Sequence, residues 1–197
     1  MTNDMILKDL PMPIRTPRLV IRPPEPGMGA ALHEAIQESL PELRVWMGWA
    51  DKMKTVEDSE IWVRKKAADF MLREDFVLLV FDHHDRLLGS TGFHHKTDLP
   101  LLEIGYWIRT SEMGKGYVTE WANALTRYAF EIFGVKKLRI DANSNNERSM
   151  AVAERLGFEL EYAAKWDILK PNATDMQIRN VYSRFDIDNL PPLDVNW

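Results

Sequence analysis

Two glycines one residue apart, in Met113-Gly114-Lys115-Gly116-Tyr117-Val118-Thr119-Glu120, stand where a strand-like run ends and a long amphipathic run begins. Glycine lets a backbone approach a ligand closely. A helix starting just beyond it offers unpaired N–H groups and the positive end of its dipole to an anion. The stretch reads as a pyrophosphate cradle, although a plain tight turn uses the same residues. Asn145 and Asn146 precede a shorter helical run carrying Ser149, and either can cap it. Trp46 and Trp49 lie close together on a short segment, where they either pack the core or wall a ligand pocket. Asp82-His83-His84-Asp85 has the residue types of a metal site. Adjacent turn residues splay apart rather than converge on an ion, so it reads as a solvated turn, and no metal is expected.

The composition narrows the classes. A chain of 197 residues can bury a sizeable core as one domain. A net charge of −5 gives no basic field for nucleic acid or an anionic membrane, and permits attraction of an amine-bearing partner. With no cysteine, disulfides, thiolate zinc sites and a cysteine nucleophile are excluded. Met1 to Leu10 mixes Asp4, Lys8 and Asp9 into a short apolar stretch, unlike a signal peptide, and no window approaches the about 20 apolar residues of a membrane span. A cytoplasmic protein is expected.

The elements that must position these residues follow from periodicity. Residues 1–14 are a lead-in, and Arg18 to Arg22 a first strand closed by Pro23, Pro24 and Pro26. Ala30 to Ser39 is helical, with Ala31, Leu32, Ala35 and Ile36 apolar, and Pro41 opens a short helix. Thr55 caps a helix from Val56 to Arg73 that should bury Ile61, Trp62, Ala68 and Leu72. Asp75 to Phe81 and Arg86 to Phe93 form a hairpin, followed by a strand from Leu101 to Ile108 in which Gly105 marks a bulge or a close approach. The helix after the glycine loop runs Tyr117 to Phe133 and stops at Gly134; the next strand holds Leu138-Arg139-Ile140. The Ser149 helix stops at Gly157, and two last strands, Phe158 to Leu169 and Met176 to Phe185, flank a turn at Lys170-Pro171-Asn172-Ala173-Thr174-Asp175. Residues 15–185 therefore form one mixed α/β domain, and residues 186–197, with Pro191-Pro192, an appended C-terminal tail.

Five segments taken together resemble the GCN5-related N-acetyltransferase (GNAT) superfamily, in particular its ribosomal-protein N-terminal acetyltransferase branch. They are Thr16-Pro17-Arg18-Leu19-Val20-Ile21-Arg22, Leu43-Arg44-Val45-Trp46-Met47-Gly48-Trp49, Glu103-Ile104-Gly105-Tyr106-Trp107-Ile108, the glycine loop, and Asn146-Glu147-Arg148-Ser149 running to Leu156-Gly157-Phe158. The resemblance implies a central, mostly antiparallel twisted sheet, splayed at the strands that bind coenzyme A and flanked by helices. It implies acetyl-CoA as donor and a primary amine, a protein N-terminus or a small molecule, as acceptor by direct attack in a ternary complex. Backbone groups of Met113, Gly114, Lys115, Gly116, Tyr117 and Val118 would hold the pyrophosphate, and those of Tyr106, Trp107 and Ile108 would pair with the pantetheine amides.

Two positions depart from the superfamily pattern. Ser111 stands where a Gln or Arg usually opens the loop, so Arg109 or Lys115 would have to supply the missing charge. Ala153 stands where many members carry a tyrosine acid, and the resemblance points instead to Ser149 as donor to the leaving thiolate, with Asn146 on the pantetheine or phosphate arm. Glu103 is the candidate base, with His94 or His95 as substitutes; strand alternation lets only one histidine face the cleft, and His94 joins Trp46 and Trp49 as an expected pocket residue. A second reading keeps the scaffold without the catalysis, as a coenzyme A sensor or protein-binding module, monomeric or homodimeric.

Overall fold

The computed structural model describes residues 3–95, 100–165 and 178–197. Its strands are β1 (Ile14–Arg15), β2 (Leu19–Arg22), β3 (Phe76–Asp82), β4 (Leu87–His95), β5 (Leu101–Ile108), β6 (Lys137–Asn143), β7 (Glu159–Lys165) and β8 (Ile178–Arg184). They form one sheet in the order β1-β2-β3-β4-β5-β6-β8-β7. The helices are α1 (Asn3–Ile6), α2 (Gly29–Glu38), α3 (Leu40–Trp46), α4 (Val56–Met71), α5 (Tyr117–Tyr128) and α6 (Glu147–Arg155). The architecture is the mixed α/β domain expected from the sequence. The Lys170–Asp175 turn and the outer ends of the two last expected strands fall outside the described residues.

Side chains on β3 alternate between two cores, as strand geometry requires. Phe76, Leu78 and Val80 join Trp121, Leu125 and Tyr128 of α5 on one face, while Leu79 and Phe81 join Leu32 and Ile36 of α2 on the other. All neighbouring strands run antiparallel except β5 and β6, which are parallel because α5 carries the chain back between them. That pair is also short. Leu101, Leu102 and Glu103 pair with Lys137, Leu138 and Arg139, after which the two strands part. From Ile104 to Ile108, β5 stays paired with β4 and its other edge faces the gap.

Several local expectations hold and two are corrected. Thr55 and Asp58 form a reciprocal capping box at the start of α4. The α4 face is different from the expected one: Ser59, Val63 and Phe70 are buried, whereas Ile61 and Leu72 are exposed. The apolar positions of this helix do not make one clean stripe, so packing against α2 selected the face. Glu60 lies on that contact and accepts hydrogen bonds from the Gly27 and Gly29 N–H groups. The α-helical turns of α5 end at Tyr128 rather than Phe133, because Ala129–Phe133 widens into a π turn before Gly134. In the hairpin turn, Asp82 accepts the N–H groups of His84 and Arg86, and the His83 ring contacts the Pro17 carbonyl.

The two ends of the chain meet. Arg15 and Asn196 exchange both backbone hydrogen bonds, and Trp197 packs edge-to-face on Tyr128 at 5.3 Å. Asn123 and Arg127 of α5 donate to the Pro191 carbonyl, which fixes the tail along the helix behind the glycine loop. Among the described residues, no helix is long and apolar enough to cross a membrane.

Candidate active site

The glycine loop turns sharply because Gly114 and Gly116 adopt φ of 77° and 79°, a region that penalises any side chain. Gly116 is the N-cap of α5 and no side chain caps the helix, so the first-turn N–H groups at Tyr117 and Val118 face outward from the loop. A Cβ at Gly114 would meet nothing within 4 Å, so the cradle is open on that side. These features fit an anion held by backbone donors.

The cations around the loop include one that the sequence did not offer for it. Arg109 is not among them. It is 2% exposed, donates to the Leu87 carbonyl at 2.6 Å, and pairs with Glu38 at 2.6 Å and Glu34 at 3.0 Å. Lys115 pairs with Glu112 at 2.8 Å, and that buried carboxylate, held down in pKa by Lys115 against the cost of burial, also takes Arg86. The third cation is Arg18, from the start of β2. It donates to Glu120 at 2.5 Å and to the Lys115 carbonyl at 3.0 Å, and its guanidinium lies 4.5 Å over the Tyr117 ring. A Cβ at Gly116 would come within 3.6 Å of it. Arg148, from the first turn of α6, reaches the same loop at Met113 Sδ, 3.1 Å away.

At the middle of the gap the structure brings Ser149 to Tyr106. Asn146 caps α6 by accepting the Ser149 N–H at 3.1 Å, which fixes the first turn of that helix. The Ser149 hydroxyl then lies 3.0 Å from the Tyr106 phenol, which also donates to the Ser149 carbonyl at 3.2 Å. Burial pushes the phenol up to about 12, only partly offset by its bond to Ser149. The sequence reading used Tyr106 only for its backbone; its side chain was the missed element.

Glu103, Gly105 and Trp107 point to the opposite face of the sheet from Tyr106, by alternation. Trp49 packs on Trp107 there, with ring centroids 6.1 Å apart, whereas Trp46 at the end of α3 is more open to solvent. His94, paired in register with Glu103, shares that face. The His95 side chain falls outside the described residues. The gap therefore has two sides: a hydroxyl pair on the α5 and α6 side, and a carboxylate, an imidazole and an indole pair on the α2 side.

A sheet parted beyond a short parallel pair, with an uncapped helix N-terminus beside the gap, is the arrangement of an acetyltransferase. The chain belongs to the GNAT family: the acetyltransferase (GNAT) domain matches residues 18–159. It is 30% identical over 152 residues to YdaF of Bacillus subtilis, which carries a provisional name as a ribosomal N-acetyltransferase; the match covers 75% of this chain and 81% of YdaF. The fold is shared with MccE, a microcin C7 self-immunity acetyltransferase solved with acetyl-CoA and AMP, at TM-score 0.77 and 24% identity over 86% of this chain and 93% of that one. It is shared equally with RimL, a ribosomal L7/L12 α-N-protein acetyltransferase solved with coenzyme A, at TM-score 0.77 and 23% identity over 87% and 96%.

Proposed function

We propose that the protein transfers the acetyl group of acetyl-CoA to a primary amine, a protein N-terminus or a small molecule, by direct attack in a ternary complex. The observation that carries this reading is the parting of β5 and β6 between the glycine cradle and the Ser149–Tyr106 pair. Unpaired edge groups from Ile104 to Ile108 suit the two amides of pantetheine, which can extend the sheet as a strand would. The donor's pyrophosphate would sit on the α5 N-terminus, with Arg18, Lys115 and Arg148 around it. The thioester would reach the gap with its sulfur toward Ser149. The acceptor would enter from the face bearing Trp49, Trp107, Glu103 and His94, so donor and acceptor approach from opposite sides of the sheet. YdaF and RimL make a ribosomal-protein N-terminus the first acceptor to try.

Acetyl-CoA at about 100 times its Kd should stabilise the fold by about 2.7 kcal/mol, read as a rise in Tm. Peptides with free N-terminal serine or alanine should then release coenzyme A thiol and gain an acetyl group by mass spectrometry. A thermal shift with no acetylation of any amine would favour a coenzyme A sensor on the same scaffold. No shift at all would reduce the glycine loop to a turn. Arg18→Ala should weaken acetyl-CoA binding about tenfold, the worth of one charge-assisted contact, as measured by calorimetry. An unchanged Kd would confine Arg18 to its bond with Glu120.

A further inference from the structure

The attacking amine must lose a proton, and the acceptor face offers both Glu103 and His94 to take it. We infer that His94 takes this proton and that Asp75 is the positioning residue that aims it, an inference that rests on the transferase reading above. His94 stands opposite Glu103 in the β4–β5 register, yet its ring leans forward along β5. A Cβ at Gly105 would meet His94 Nε2 at 2.9 Å and Cδ2 at 3.1 Å, so the imidazole occupies the space that the glycine leaves. Gly105 is the first residue on this face past Glu103–Arg139, the last pair before the strands part. Nε2 thus stands at the mouth of the gap, where the thioester carbon is to be attacked.

The other ring nitrogen is anchored. Nδ1 lies 3.3 Å from Asp75 Oδ1. Asp75 is held in place by Lys66 of α4, whose ammonium lies 2.9 Å from Oδ2, and by the Phe76 N–H at 3.0 Å from Oδ1. Burial raises the Asp75 carboxyl, but the hydrogen bonds from His94 and Lys66 outweigh it and bring it to about 2. An anion at Nδ1 keeps the ring proton on that nitrogen and leaves the lone pair on Nε2, the geometry of a carboxylate-oriented histidine base. Glu103 is placed otherwise. It lies at the last paired position before the strands part, with one carboxylate oxygen fully buried, behind the opening that Nε2 of His94 reaches.

In the step, a proton passes from the acceptor ammonium to His94 Nε2. The freed nitrogen lone pair forms the C–N bond to the acetyl carbon, and the C–S bond breaks with its electron pair on sulfur. The thiolate takes a proton from Ser149, which regains one from water; the acetylated nitrogen sheds its second proton to water, and the imidazolium returns its own, so one net proton leaves per turnover. The charged groups that face the imidazole are Asp75 and Lys66 on one side and Glu103 on the other, with Asp69 bonded to Lys66 behind them.

The test is the pH profile of kcat/KM, by thiol release, with saturating acetyl-CoA and two probe amines: a peptide with N-terminal serine and one with N-terminal alanine. Wild type, His94→Gln, Asp75→Asn, Asp75→Glu and Glu103→Gln are compared, with the acetyl-CoA thermal shift as the check that each variant is folded and binds donor. His94→Gln is expected to lower kcat/KM about 100-fold and to abolish the acid limb. Asp75→Asn is expected to lower it about tenfold, because the carboxylate that holds the ring proton on Nδ1 is gone. Asp75→Glu should recover part of that loss, and Gly105→Ala, which displaces the ring while keeping every polar group, should mimic Asp75→Asn in rate. Loss of the acid limb in Glu103→Gln, or its persistence in His94→Gln, overturns the inference while the transferase reading stands. No thiol release from wild type with either probe overturns both.

Discussion

Ser149→Ala is expected to lower kcat about 100-fold, or about 2.7 kcal/mol of transition-state stabilisation, while the acetyl-CoA thermal shift stays unchanged. The proposed phosphate cradle does not depend on that hydroxyl: it is backbone from another part of the chain, and the α6 cap uses the Ser149 N–H, which alanine keeps. The loss should therefore fall on kcat rather than on donor affinity. Tyr106→Phe is expected to cost about tenfold, because it releases the serine rotor without removing the proton that serine donates. The double variant should be little slower than Ser149→Ala alone, since the two hydroxyls, 3.0 Å apart, act as one unit. With its phenol pushed up to about 12, Tyr106 stays protonated across any working range, so no alkaline loss of activity should trace to it below that pH. A Ser149→Ala enzyme with wild-type kcat would remove this hydroxyl from the mechanism. Multiplicative losses in the double variant would mean that the two hydroxyls act separately.

The parts of the site that were legible in the sequence are those made by short-range rules. Glycines before an amphipathic run, an asparagine three residues before Ser149, and a Thr-x-x-Asp cap are written within one or two turns of chain. The parts that were not legible depend on which strands become neighbours. Arg18 and Glu120 are 102 residues apart, and only the docking of α5 beside β2 brings the guanidinium to the loop. Thr16-Pro17-Arg18 is a recognisable segment, but no local pattern says that its arginine comes to lie beside the glycine loop. Tyr106 presented the opposite difficulty. The resemblance assigns only its backbone a role, while alternation alone cannot say that the ring side meets α6. The buried face of α4 was misread because its apolar residues are spread around the helix, leaving α2 to decide. His94 and Asp75 lie on different strands and meet only through the β3–β4 register, so the sequence could offer His94 as a candidate but not aim it.

Arg109 was expected near the phosphates and is instead a buried fastener, which makes its removal the largest stability effect to expect. Its guanidinium joins the Leu87 carbonyl of β4 to Glu38 of α2, and Glu38 also accepts the Ser111 N–H at 3.2 Å. Arg109→Ala leaves the Leu87 carbonyl without this donor and Glu38 with the Ser111 N–H as its remaining close hydrogen bond, and is expected to lower the free energy of unfolding by about 3 kcal/mol. That is the low end for a broken buried pair, because Glu38 keeps a 30% exposed side chain and water can recover part of its solvation. The effect should depend on pH in a definite sense. Burial raises the Glu38 carboxyl, but its hydrogen bonds to Ser111 and Arg109 prevail and hold it at about 2, against an ordinary value of 4.5. A depressed carboxylate adds stability that is present above the unfolded value and is lost as pH falls through the folded one, so the window runs from 4.5 down to about 2. Urea titrations at pH 7 and pH 3 should show a wild type that loses stability between them and an Arg109→Ala variant that loses less. A variant within about 1 kcal/mol of wild type at pH 7 would contradict the fastening role. The same bond should reach the donor site, since Glu38 and Ser39 hold the Ser111 and Thr110 N–H groups that begin the glycine loop. A loop start freed from α2 would have to be ordered by the ligand itself. Arg109→Ala should therefore also weaken acetyl-CoA binding, from a position where its guanidinium is turned toward α2 and β4 and never meets a phosphate.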